Sequence, residues 1–131
     1  MRIISTFMLL LPLFVITSCS QKTVEMPDKI VIERINSEND TYEVIKTVTD
    51  KKEISDIIQL AESTNWEYGQ MQVSMARPAD FKINDTDYFL WISPSGDRFE
   101  VVKEAESKYG KLSKGKSEEL YFLMTGEKFD E

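Results

Sequence analysis

Residues 80–102, DFKINDTDYFLWISPSGDRFEVV, hold three short runs of strongly β-forming residues: Asp80 to Ile83, Tyr88 to Ile92 and Arg98 to Val102. Between them stand Asn84-Asp85-Thr86-Asp87 and Ser93-Pro94-Ser95-Gly96-Asp97, rich in the residues that initiate turns or accept positive φ. Runs and turns at that spacing predict a three-stranded antiparallel meander. Within it, Tyr88 and Leu90 point to one face of their strand, and Phe89 and Trp91 to the other. A sheet covered on one side only leaves one of those pairs in water. The expectation is that the helices and the N-terminal tether cover both faces; the alternative leaves aromatic surface for a ligand.

Upstream lies the clearest helix. Asp50 and Glu53 have the form of a capping box with Asp in place of Ser or Thr, and Ile54, Ile57, Ile58 and Ala61 recur at i, i+3, i+4 and i+7. Leu60 borders that stripe, and Glu53, Asp56, Gln59 and Glu62 occupy the opposite side. The stripe predicts a helix that covers the sheet and stops near Ser63 to Asn65. Before it, the β-branched runs around 29–35 and 41–49 flank the polar loop Asn36 to Asp40, a hairpin in which Tyr42, Val44, Lys46 and Val48 share one face. After it, Met71, Val73 and Met75 alternate, which places a strand at 70–76.

Downstream of the meander, 104–112 adds a short strand around Tyr109. A second helix follows, capped by Ser113 or Ser117, with Leu120, Leu123 and Met124 as its apolar face and Tyr121 and Phe122 alongside. Gly126 stands at its left-handed end, and Phe129 folds back on that end. The order β-β-α-β-β-β-(β)-α predicts an α+β domain over 29–131: an antiparallel sheet, built from an N-terminal hairpin plus a C-terminal meander, with two packed helices.

Residues 1–22, MRIISTFMLLLPLFVITSCSQK, have a different character. A positive start at Met1 and Arg2 precedes an apolar run from Ile3 to Ile16, interrupted only by Ser5, Thr6 and Pro12. The run is short for a membrane span and suits the core of an export signal. Ile16-Thr17-Ser18-Cys19 resembles a bacterial lipobox. The reading is a signal peptide at 1–18, a diacylglycerylated Cys19 at the mature N-terminus, and a polar tether over 19–28 interrupted by Pro27. Two acyl chains anchor stably where a single chain does not, at about 0.8 kcal/mol per buried CH₂.

Removing residues 1–18 from 131 leaves 113, enough for one core. Arg2 leaves with the signal, so 15 basic face 23 acidic side chains, a formal charge of −8. Such a balance argues against nucleic acid, whose binding depends on neutralised phosphates. With Cys19 acylated no thiol remains for a disulfide, and packing alone must hold the fold.

The lipobox, Trp66 after the first helix, Arg77-Pro78-Ala79-Asp80-Phe81, Tyr88-Phe89-Leu90-Trp91 and Tyr109-Gly110-Lys111-Leu112-Ser113 are together similar to the small YhfM-like lipoproteins of Gram-positive bacilli, over nearly the whole chain. The resemblance implies a compact domain outside the cytoplasmic membrane, without an established enzymatic role and without functional residues to carry over. Ala79, inserted between Pro78 and Asp80, departs from that pattern.

The chain has no His, which removes the commonest general base near neutral pH and the commonest transition-metal ligand. Ser113-Lys114-Gly115-Lys116 offers a Ser and Lys pair without a strained elbow around the hydroxyl. Asn84 to Asp87 lacks the twelve-residue spacing of a calcium loop. The carboxylates are many but not arranged by spacing, and a glycosidase cleft is large for this chain. No catalytic residue, metal or cofactor is therefore assigned. Two functions stay open: a binding or interaction module on the outer side of the membrane, whose partner is another surface protein or a wall polymer, and a small carboxylate-based hydrolase or accessory enzyme of the envelope.

Residues 103–116 set Lys103, Lys108, Lys111, Lys114 and Lys116 against Glu104 and Glu106. This local excess of cations predicts that Lys108, Lys111, Lys114 and Lys116 face the membrane or wall polyanion, where each Lys is worth on the order of 1 kcal/mol. The anchor makes the firmest expectation. Cys19→Ala should abolish palmitate labelling and leave an uncleaved precursor; label that survives the substitution would end the lipoprotein reading.

Overall fold

The computed structural model describes residues 26–68, 77–85 and 87–129. The signal, Cys19, most of the tether and the strand expected at 70–76 lie outside the described residues. Seven strands are present among them: β1 (Ile30–Asn36), β2 (Thr41–Val48), β3 (Asn65–Tyr68), β4 (Phe81–Ile83), β5 (Tyr88–Ile92), β6 (Phe99–Lys103) and β7 (Lys108–Lys111). Helix α1 (Lys51–Glu62) falls between β2 and β3, and α2 (Lys114–Thr125) follows β7. The strands form one sheet in the order β2-β1-β4-β5-β6-β7-β3, and every pairing is antiparallel. The expected α+β architecture, hairpin and meander with two helices, is the one observed.

Both helices begin as their residues dictate. The Asp50 carboxylate accepts the Glu53 N–H at 3.0 Å, and the Ser113 hydroxyl accepts the Lys116 N–H at 3.4 Å, each satisfying a donor that the first turn leaves without a partner. Gly126 closes α2 with φ 74°, and its N–H meets Phe122 O at 2.8 Å. Ser117, the alternative cap, is buried instead; its Oγ accepts the Phe99 N–H at 2.9 Å and ties α2 to the head of β6.

Ile54, Ile57, Ile58 and Ala61 of α1 join Leu120, Tyr121 and Met124 of α2 in one core with Ile30, Ile32, Phe81, Ile83, Leu90, Phe99 and Val101 from the sheet. Phe129 does fold back, edge-on to Phe99 at 5.3 Å and to Tyr121 at 4.8 Å between centroids. On α2 Tyr121 turns inward with Leu120 and Met124, while Leu123 is half-buried and Phe122 is 55% exposed.

Two local expectations are corrected. Tyr42, Val44, Lys46 and Val48 do not share a face, because β2 carries one extra residue, Ile45, where Ile32 pairs with Lys46 and Glu33 with Val44. The bulge turns Tyr42 and Val44 to the side away from the helices and leaves Lys46 and Val48 on the helix side. Lys46 there donates to Leu123 O at 2.9 Å and pairs with Glu53. In addition, a strand begins directly after α1, at Asn65. Its pairing with β7 needs Gly110: a Cβ at that position would lie 2.1 Å from Asn65 O. Trp66 then packs onto the helix-side core and donates its Nε1–H to Glu62 O at 3.1 Å.

Since Ile57 is wholly buried between α1 and the sheet, Ile57→Asp should destabilise the domain by about 4 kcal/mol or more and abolish cooperative unfolding. An unchanged melting temperature would refute this packing.

Candidate functional site

Alternation along β5 sends Tyr88 and Leu90 into the helix-side core and Phe89 and Trp91 to the opposite face. Neither helix covers that second face, so the helices do not cover both faces as expected; most of the tether, the other cover expected, lies outside the described residues. A smaller cluster forms there instead from Ala79, Trp91, Val102 and Tyr109, with Phe89 packed against it. The cover over Trp91 is the segment leading into β4. Trp91 Nε1 donates to Arg77 O at 2.8 Å, and the Arg77 guanidinium grips both Asp80 oxygens at 2.8 Å each. Asp80 Oδ2 accepts the Ile92 N–H at 2.7 Å, and Asp80 O accepts the Ile35 N–H at 3.0 Å. Ala79 is the buried residue that this clamp presses into the Trp91 cluster.

Beside the clamp runs a groove of about 320 Å³ lined by Tyr42, Pro78, Ala79, Lys82, Phe89, Trp91, Val102 and Glu104. Tyr42 reaches it because of the bulge, and its hydroxyl donates to Ala79 O at 2.8 Å. Burial, then the Asp80 charge, raise the pKa of this phenol, so it stays a donor. Lys82 Nζ stands 3.9 Å from the Tyr42 ring centroid and 5.7 Å from that of Phe89, a cation held over two aromatic faces. The groove thus presents apolar walls with one cation and one exposed carboxylate, Glu104. The alternation of Phe89 and Trp91 pointed to this face in the sequence; nothing there signalled Tyr42, because the bulge is not written in the pattern.

A second constellation lies where the chain enters β1. Tyr88 donates its hydroxyl to Glu62, which Lys103 also approaches at 2.5 Å, and Lys103 and Lys108 reach Glu106 at 3.1 and 3.2 Å. A cavity of about 220 Å³ adjoins the network, lined by Pro27, Ile58, Asp87, Tyr88, Lys103, Ala105 and Glu106. Burial first, and then Glu62, push the Tyr88 phenol far above its ordinary range. Lys103, and to a lesser degree Lys108, hold Glu106 below the usual carboxylate range. For Lys103, burial alone would lower the pKa, and the two carboxylates outweigh it. A general acid needs a carboxyl raised toward neutrality, and these shifts run the other way. Asp97, the other carboxylate that moves, is also lowered, by Arg98 and then Ser95. Among the described residues no group of three or more Asp, Glu, His or Cys is placed to hold a metal ion.

The four lysines singled out in the sequence are not brought together. β7 runs from the end of the sheet where β1 starts to the opposite end, as its register with β6 requires. Lys108 stands at the tether end on the helix side, bound to Glu106 and 5.9 Å from the Trp66 ring. Lys111, three residues on, faces the other side of the strand. Lys114 and Lys116 are exposed in the first turn of α2, at the end far from the tether.

Among the described residues no helix is long and apolar enough to cross a membrane. Compared with family models, curated proteins and solved structures, the chain matches none. The lysine placement sharpens the polyanion expectation. In a chain beginning at Ser20, salt-sensitive binding to anionic vesicles should fall at least several-fold when Lys114 and Lys116 become Gln, and change little with Lys108→Gln, whose charge is already matched by Glu106. Equal losses from the two variants would show that the pairing of Lys108 does not matter.

Proposed function

We propose that this chain is a lipid-anchored module on the outer side of the cytoplasmic membrane that binds another surface protein or a wall polymer through the helix-free face of its sheet. The observation that carries this reading is the stacking of both helices on one face, with an aromatic groove built on the other from Tyr42, Phe89, Trp91 and Lys82. Apolar walls with a few placed polar groups are the usual makeup of binding clefts, and about 320 Å³ is near the lower end of their size, roughly 300–1,000 Å³. The lipobox ending in Cys19, and the resemblance to small bacterial lipoproteins, support the location. The alternative of a carboxylate hydrolase has less support, since Glu62, Asp80, Asp97 and Glu106 are all tied to cationic side chains.

The test is a photo-crosslinking residue placed at Phe89 in cells that carry the anchored chain, with Phe122 on the exposed side of α2 as the control position. Adducts should form from Phe89 in intact envelopes and be largely absent from Phe122. Adducts from Phe122 alone, or none from either, would refute the helix-free face as the binding surface.

A further inference from the structure

β2 is an edge strand: it pairs with β1, and no strand lies beyond it among the described residues. The hydrogen bonding of β1 shows which peptide groups of β2 are left over. Ile35 donates its N–H to Asp80 O, and Val31 O accepts the Asn84 N–H, so the odd-numbered residues of β1 turn their polar groups to β4 and the even-numbered ones to β2. Ile32 and Arg34 therefore bond toward Lys46 and Glu43, while Tyr42, Val44 and Thr47 turn their N–H and C=O groups outward. Val44 and Ile45, at the middle of that edge, are 59% and 39% exposed. An open ladder beside exposed aliphatic side chains is a template for a further strand.

We propose that the further strand is β2 of a second copy of this chain, added antiparallel about a two-fold axis. The charges select both the occupant and the register. Glu43 lies on the helix side, opposite Arg34, whose guanidinium stands 5.3 Å from the Phe81 ring centroid. The bulge at Ile45 puts Lys46 on that same side; without the extra residue the two would project to opposite faces. Glu43 then meets Lys46 of the second copy, Val44 meets its Ile45, and Tyr42 meets its Thr47 on the helix-free side. Each pairing occurs twice by symmetry, and each is matched in character. A shift of two residues either way sets Glu43 against Val44 or Val48, and the register that aligns Tyr42 with Val44 sets Glu43 against itself. Lys46 has a donor to spare, because its ammonium carries three and Glu53 and Leu123 O take two. Glu43 accepts from Asn36 Nδ2 at 3.1 Å through Oε1, which leaves Oε2 for the lysine. Tyr42 and Thr47 of the second copy exchange backbone hydrogen bonds through groups that now face outward. The axis runs perpendicular to the sheet, so the helices of both copies stay on one side and the helix-free faces join. This inference needs neither the aromatic groove nor the anchor.

The test is sedimentation equilibrium of the full chain in density-matched detergent, where the micelle adds no mass, over a range of protein-to-detergent ratios. The parent should associate reversibly to a dimer and no further. Thr47→Pro should weaken that dimer by about ten-fold or more, since proline cannot give the bond to Tyr42 of the second copy. Its melting temperature, taken at a dilution where the parent is monomeric, should stay that of the parent, because the lost N–H points out of the ladder. Glu43→Lys, at an exposed position, should weaken the dimer by a similar factor, about ten-fold, by setting lysine against lysine; it carries the test alone if the proline variant melts lower. A parent that stays monomeric at every ratio would overturn the proposal. So would a dimer that both variants leave intact, which would mean two chains sharing a micelle or a contact elsewhere on the surface.

Discussion

Ile54, Ile57, Ile58 and Ala61 from one helix and Leu120, Tyr121 and Met124 from the other are buried against the same side of the seven strands, and the rest of the molecule follows from that one-sidedness. Fully burying a large aliphatic side chain contributes roughly 1.5–3 kcal/mol, so each stripe strongly favours its place on the sheet. Once both helices have taken one face, the other must be closed by whatever the strands and loops can supply. Trp91 is covered by the clamp of Arg77 and Asp80, with Ala79 pressed against it, while Phe89 and Tyr42 keep part of their surface in the groove. The candidate site is in this sense the remainder of the core-building problem.

Polar side chains then set how the layers meet. Ser117 holds α2 to β6 through the Phe99 N–H, and Lys46 bridges β2 to α1 through Glu53 and to α2 through Leu123 O. At the tether end, Glu62 collects the Tyr88 hydroxyl and Lys103, joining the close of α1 to β5 and β6. These contacts use ionisable groups for registration between elements. Their carboxylates carry cationic partners, a state suited to holding structure and poorly suited to moving protons.

Much of the fold was legible along the chain. The stripe of α1, its cap at Asp50, the turns at 84–87 and 93–97 and the left-handed Gly126 are local features, and local sterics and hydrogen bonding act over a few residues. They determined the helices, the hairpin, the meander and the α+β class by themselves. The split of Phe89 and Trp91 from Tyr88 and Leu90 was legible for the same reason, because a strand alternates whatever its neighbours are.

The remainder depended on partners distant in sequence. The bulge at Ile45 exists only as a mismatch between two strands, so the face that Tyr42 shows was not readable from β2 alone. β3 is only four residues long, too short to read as a strand along the chain, and it is held by β7 across Gly110, forty-five positions after Asn65. Lys108, Lys111, Lys114 and Lys116 are neighbours in the sequence, yet strand alternation and the length of β7 send them to different faces and opposite ends. Composition and local periodicity thus determined the elements and the class. Which face the two helices left, and which side chains stand together on it, was decided by tertiary pairing, because the burial of an apolar stripe does not depend on where its partner lies along the chain.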